Sequence, residues 1–283
     1  MTAVVRSSGS MRGVDGGARH TCSWTPAGSP CGLVVIAHGL AEHGARYDWF
    51  ATRLASHGFV VHALDHRGHG RSEGRRADIV AFDGLVDDVG TLLDAAAASW
   101  PSLPRFLLGH SMGGAIAFDW ALRHPGRLSG LLLSAPLLAL DPGLPRWRVA
   151  LLRLLARVAP GVGAVTLPSD TLSRDPAVVR AYDEDPLVFR GAIPARTVAE
   201  LFARVGGFLE RAPAMRTPVL ILHGTGDRLV PAAQVRPVVA AIGAPDLTLK
   251  LYEGFYHEIL NEPEREQVCD DILRWLQGHV AAA

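Results

Sequence analysis

Ser111, Asp227 and His257 are the residues whose types and order could do chemistry. Ser111 is the centre of Gly109-His110-Ser111-Met112-Gly113-Gly114. A serine hydroxyl is a poor nucleophile at neutral pH and needs an imidazole to take its proton. That imidazole in turn needs a carboxylate to fix its tautomer and stabilise its charged form. Asp227 ends the run His223-Gly224-Thr225-Gly226-Asp227, and His257 ends Glu253-Gly254-Phe255-Tyr256-His257. The order nucleophile, acid, histidine is the one expected when the serine sits on a strand-to-helix turn flanked by glycines. The chemistry so implied is acyl transfer through a covalent serine ester.

Other residues compete for these roles. His110 adjoins Ser111, but neighbours on a tight turn point apart, which argues against it as the base. Asp141 follows a strand, as the acid should, but a long insertion begins there and Asp227 is preferred. Asp227 could also cap the turn before Val230-Pro231, a role compatible with catalysis. His62, His66 and His69 imitate metal-ligand spacing, yet they straddle a strand end and a glycine turn, so no shared face and no metal is expected. A tetrahedral oxyanion needs two preorganised donors. The amide of Met112, directly after the nucleophile, is one. The other is expected from Leu40 in His38-Gly39-Leu40, the loop after an early strand.

The elements that must position these residues follow from hydrophobic runs. Short apolar stretches at 32–37, 59–64, 105–108, 130–134 and 218–222 read as buried strands, and 247–252 as a further strand. They alternate with helical segments near 47–56, 79–99, 112–123, 232–242 and 262–277. Such alternation predicts an α/β fold, a mostly parallel central sheet with helices on both faces. Active groups of such sheets collect at the C-terminal ends of the strands. A hairpin is expected around Val14-Asp15-Gly16-Gly17. Between Pro136 and Ala212 no strand is evident, and the segment reads as a helical insertion with pieces near 176–182 and 195–211. Within it Trp147, Leu151, Leu154, Leu155 and Val158 share one helical face, with Arg146, Arg153 and Arg157 elsewhere around it.

The chain has 283 residues with 28 basic and 28 acidic side chains, and that balance gives no basic surface for a nucleic acid. The three cysteines lack metal-ligand spacing and are expected as free thiols of a reducing compartment. Residues 1–17 are polar and glycine-rich, without the apolar core of a secretory signal. No apolar run approaches the length of a membrane span. A soluble cytoplasmic protein is the expectation.

Several motifs together resemble the monoacylglycerol lipase family of α/β-hydrolases. They are His38-Gly39-Leu40-Ala41-Glu42-His43, Arg46-Tyr47, Asp65-His66-Arg67-Gly68-His69-Gly70-Arg71-Ser72-Glu73-Gly74 and the Ser111 hexapeptide. Leu172-Ser173-Arg174-Asp175, Tyr182-Asp183-Glu184-Asp185-Pro186-Leu187 and Tyr252-Glu253-Gly254-Phe255-Tyr256-His257 continue the likeness. The resemblance spans nearly everything beyond residue 30 and is greatest to bacterial, especially actinobacterial, members. It implies an α/β-hydrolase core of residues 1–135 and 213–283, with 136–212 as a helical cap. It implies hydrolysis of monoacylglycerols to fatty acid and glycerol without cofactor or metal, with Ser111, Asp227 and His257 as the triad. Leu40 and Met112 match the family's oxyanion amides. Glu42, Arg46 and Tyr182 match positions bordering the glycerol end of the pocket; taken on their own they are a surface ion pair and a packed tyrosine. Mammalian members carry a second histidine three residues beyond the catalytic one, where this chain has Leu260. The apolar cap face would receive an acyl chain, touch a membrane surface, or pack onto the rest of the cap. Lysophospholipid hydrolysis, a broader carboxylesterase or acyltransferase reaction, and a non-catalytic binding role are the alternatives.

Overall fold

The computed structural model describes residues 3–141, 143 and 145–280. The chain opens with antiparallel strands β1 (Val4–Arg12) and β2 (Ala18–Pro26), joined by the turn expected at 14–17. There follow β3 (Gly32–Ala37), α1 (Asp48–Ser56), β4 (Phe59–Leu64), α2 (Phe82–Ser99), β5 (Arg105–His110), α3 (Met112–Arg123) and β6 (Gly130–Ser134). After a long excursion come β9 (Val219–Gly224), α8 (Ala232–Ala241), β10 (Leu247–Tyr252) and α9 (Arg265–Val280). The excursion itself holds α4 (Arg146–Val158), β7 (Gly163–Val165), α5 (Pro176–Glu184), β8 (Ile193–Pro194), α6 (Ala195–Val205) and α7 (Phe208–Arg211).

One eight-stranded sheet runs in the order β1-β2-β4-β3-β5-β6-β9-β10. From β4 to β10 every pairing is parallel; the β1–β2 hairpin joins antiparallel at the β4 edge. Strand periodicity sends alternate side chains to opposite faces. Val35, Leu107, Leu131, Leu133 and Ile221 pack on α2, α3 and α8. Val34, Ile36, Phe106, Leu108, Leu132 and Leu220 pack on α1 and α9. Both faces of β3, β5, β6 and β9 are buried, which is why these strands are continuous apolar runs, whereas β10 at the edge alternates and leaves Leu249 and Leu251 exposed. The architecture is the predicted α/β fold.

Two expectations are corrected in the excursion. β7 and β8 form a small antiparallel sheet where no strand was expected; strands of three and two residues are too short to carry a period. The helix expected over 195–211 breaks at Gly206-Gly207 into α6 and α7. Asp119 of α3 is fully buried and accepts hydrogen bonds from Arg204 of α6 (3.2 Å) and Arg211 of α7 (2.5 Å). This fastens the end of the excursion to the helix that begins at Ser111.

Candidate active site

Parallel pairing brings the ends of the strands to one edge of the sheet. Ala37 stands opposite Gly109, His110 opposite Ser134, Ser134 opposite Leu222, and Gly224 opposite Tyr252. The loops that leave β3, β5, β9 and β10 therefore open into one space. They carry Leu40, Ser111, Asp227 and His257.

Ser111 sits between β5 and α3 at φ 52°, ψ −116°, a conformation that L residues rarely adopt. Its neighbours make the turn possible. A Cβ on Gly109 would overlap the carbonyl oxygen of Gly113, and one on Gly113 would overlap that of Ala37. The backbone is clamped on both sides: the Ser111 amide donates to Ser134 O (3.1 Å), and its carbonyl accepts from Gly114 (2.9 Å) and Leu137 (3.0 Å). Met112 opens α3, where the amides have no intrahelical acceptor.

His257 Nδ1 lies 2.7 Å from Asp227 Oδ2. The other oxygen of Asp227 accepts the amides of Leu229 and Val230, both at 2.9 Å, so the same carboxylate also caps the turn into α8. His223 Nε2 adds a third approach, 3.2 Å from Asp227 Oδ2, and lies 2.7 Å from Val230 O. With Nδ1–H donating to Asp227, neutral His257 keeps its lone pair on Nε2. Burial alone would raise the Asp227 pKa, but His257, His223 and the Val230 amide hold it well below the usual carboxylate range. Burial would lower His257, and the charge and hydrogen bond of Asp227 overrule it, so the imidazole is more basic than usual. Glu258 and Glu42 add to the same effect.

Ser111 and His257 line one cavity of about 160 Å³, together with Leu40, Met112 and His110. Most of the rest of its wall is apolar: Leu137, Leu167, Leu172, Ile193, Val198, Leu201, Phe202 and Leu229. His110 does reach this space, its ring 4.8 Å from that of His257. Its Nδ1 is turned to Ser134 O (3.1 Å), and burial followed by the charge of His257 depresses it to about 4. Asp141 is exposed and accepts the Gly143 amide, the bond of a turn.

Glu42, Arg46 and Tyr182 do come together, but the surface ion pair is a buried one. Glu42 Oε1 accepts from the Gly39 amide (2.6 Å) and Tyr47 Oη (2.8 Å), and Oε2 accepts from Arg46 (2.7 Å). Glu42 thereby folds the loop that carries Leu40. Arg46 stacks on the Tyr182 ring at 4.8 Å. It also grips Glu258 with both terminal nitrogens, at 2.6 and 2.7 Å. Glu258 was not legible in the sequence. Its only signal is adjacency to His257, and its partner lies 212 residues away. Leu260 lines a small recess behind the cavity, with Arg46, Trp49 and Asn261.

The histidines of the glycine turn gather where a shared face was not expected. His66 and His69 surround His38 at ring separations of 4.3 and 5.4 Å, whereas His62 lies on β4 opposite Val35 of β3. His38 Nδ1 lies 2.7 Å from Gly39 O and its Nε2 accepts the His66 amide at 2.9 Å, so this ring braces the two loops. Among the described residues no group of three or more side chains is arranged to hold a metal.

Comparison with known proteins bears on this geometry. Residues 28–264 match the family model described as serine aminopeptidase, S33. The chain is 43% identical over 281 residues to a monoacylglycerol lipase of Mycolicibacterium smegmatis, covering 99% of this chain and 100% of that protein. It is 35% identical over 263 residues to the monoglyceride lipase of Homo sapiens, covering 92% and 87%. Among solved structures, Paleococcus ferrophilus monoacylglycerol lipase matches with a TM-score of 0.81 at 31% identity, over 98% of this chain and 99% of that one. With a strained serine at the end of β5 and a His–Asp pair beyond β9 and β10, the chain belongs to the monoacylglycerol lipase family of the α/β-hydrolase superfamily.

Proposed function

We propose that the protein is a serine hydrolase that cleaves monoacylglycerols to a fatty acid and glycerol. The observation that carries the reading is the 2.7 Å bond between His257 and Asp227 at the wall of an apolar cavity that also receives Ser111. His257 Nε2 takes the Ser111 proton as Oγ bonds to the ester carbonyl carbon. The amides of Leu40 and Met112 hold the resulting oxyanion. Collapse breaks the bond to glycerol, whose oxygen takes the proton from His257. A water, deprotonated by the same imidazole, then attacks the acyl ester, and the fatty acid leaves as Ser111 recovers its proton. The apolar wall suits the acyl chain. The polar end, formed by Glu42, Tyr182 and Glu258 with Arg46 behind them, suits glycerol. Residues 136–212 act as a cap, since Val165, Leu167, Leu172, Tyr182, Ile193, Val198, Leu201 and Phe202 complete the cavity wall.

The cap also supports contact with a lipid surface. Trp147, Leu151, Leu154 and Val158 recur along one face of α4 and are all exposed, while Leu152 packs inward with the cluster around Ile193 and Val198. Arg148, Arg153 and Arg157 are exposed on the same helix. An exposed apolar stripe flanked by cations is the pattern of a helix lying in an anionic membrane interface. No helix among the described residues is long and apolar enough to cross a membrane.

The test is hydrolysis of a monoacylglycerol by the wild type and Ser111→Ala. Release of glycerol and fatty acid by the wild type, with a loss of roughly 10⁶-fold in the variant, is expected for removal of the nucleophile. Undiminished turnover by Ser111→Ala overturns the reading.

A further inference from the structure

The polar end of the cavity is built from carboxylates. Glu42 and Glu258 both line the space that holds Ser111 and His257, and neither arginine nor lysine appears among its described lining residues. Arg46, the partner of both carboxylates, lies on their far side and lines the recess behind. Glu258 is fully committed to this arrangement: each oxygen accepts from Arg46, and Oε2 also accepts from Asn261 Nδ2 at 2.8 Å. Two carboxylates against one guanidinium leave one negative charge in excess, and the excess faces the substrate. The two histidines that line the cavity do not cancel it: His110 is depressed to about 4, and any positive charge on His257 is matched by the carboxylate of Asp227 beside it.

Both carboxylates stay ionised there. Burial would raise them, but Arg46 holds Glu258 below its usual value and, with His110 and His38, brings Glu42 to about 2. Both side chains are about 5% exposed, so water screens their field poorly.

We propose that Glu258, together with Glu42, is a specificity-determining residue that selects the charge of the leaving alcohol: neutral or cationic alcohols are admitted, and those bearing an anionic group are turned away. The inference rests on the ester hydrolysis proposed above and deepens it. An acyl chain must take the apolar wall, which leaves the alcohol beside the carboxylates. A glycerol hydroxyl can donate a hydrogen bond to a carboxylate oxygen. An ionised phosphate oxygen repels it, and neither arginine nor lysine among the described lining residues compensates. The arrangement thus separates monoacylglycerols from lysophospholipids with an anionic headgroup.

Three dodecanoyl esters test this, with glycerol, glycerol 3-phosphate and choline as the alcohols, each assayed below its critical micelle concentration. For the wild type, kcat/KM for the phosphate ester is expected to lie at least about tenfold below that for the glycerol ester. Glu258→Gln should narrow that gap about tenfold and lower the choline ester relative to the glycerol ester. Equal wild-type rates for the phosphate and glycerol esters overturn the proposal. So does a Glu258→Gln variant in which all three rates change by one common factor, the mark of a merely structural role. If Glu258→Gln does not fold, wild-type inhibition by the dodecyl ethers of glycerol and of glycerol 3-phosphate decides: equal inhibition constants overturn the proposal, and much weaker inhibition by the phosphate upholds it. Failure to cleave the glycerol ester would refute the monoacylglycerol reading alone, since charge selection is still read from choline against phosphate.

Discussion

His257 and Asp227 stand thirty residues apart in the chain, yet Nδ1 and Oδ2 are 2.7 Å from each other. The bond decides which nitrogen of His257 is free to serve Ser111. Because Asp227 is itself held by the amides of Leu229 and Val230, the imidazole is braced by backbone through a carboxylate.

Asp227→Asn keeps an oxygen for those amides only by turning its NH₂ group toward His257. We expect kcat on a monoacylglycerol to fall about 10⁴-fold, as for loss of the correct tautomer in other triads. The far-ultraviolet circular dichroism should stay unchanged. Steady-state kinetics beside that spectrum check both parts.

The pH dependence follows from the direction of the His257 shift. The base must be neutral to accept a proton, and Asp227 makes it more basic than usual. Activity should therefore be lost on the acid side with a midpoint above the ordinary histidine value of about 6.5. Glu258 contributes to the upward shift, so Glu258→Gln should move the acid limb of the kcat/KM profile to lower pH. An acid limb that stays in place contradicts this electrostatic account.

Ser111 is held at φ 52°, where a Cβ is strained and glycine is not. Ser111→Gly is expected to unfold at higher denaturant than Ser111→Ala, by about 1 kcal/mol in stability, while both are inactive. Urea titrations of the two variants measure the difference directly. Equal midpoints would mean that the elbow stores no strain at this residue.

The exposed face of α4 predicts binding to lipid. The wild type should sediment with vesicles that contain anionic phospholipid, and the double substitution Trp147→Asp, Leu154→Asp should abolish this. Hydrolysis of a short, monomeric ester should be nearly unaffected, because neither side chain lines the cavity. Equal sedimentation of the two proteins removes the membrane assignment.

Much of this protein is determined by its sequence alone. Apolar runs of four to six residues alternating with amphipathic helices require a parallel sheet, since only helices on both faces can bury such strands. Parallel strands place their following loops at one edge, so Ser111, Asp227 and His257 could be grouped from their positions after strands. The glycines around Ser111 are equally local: a Cβ at Gly109 or Gly113 collides with backbone a few residues away or on the neighbouring strand. What only the tertiary structure decided is what distant side chains do to one another. Arg46 finds Glu258 across 212 residues and turns an expected surface pair into a buried network. His38 gathers His66 and His69 into a brace between loops. The stripe on α4 could have faced the acyl chain, a membrane or the rest of the cap, because amphipathicity shows that a face is apolar and not what covers it. In the folded chain Leu152 takes the inward position and leaves Trp147, Leu151, Leu154 and Val158 exposed. Periodicity is a property of neighbours along the chain, and these contacts are made between residues that only folding makes neighbours.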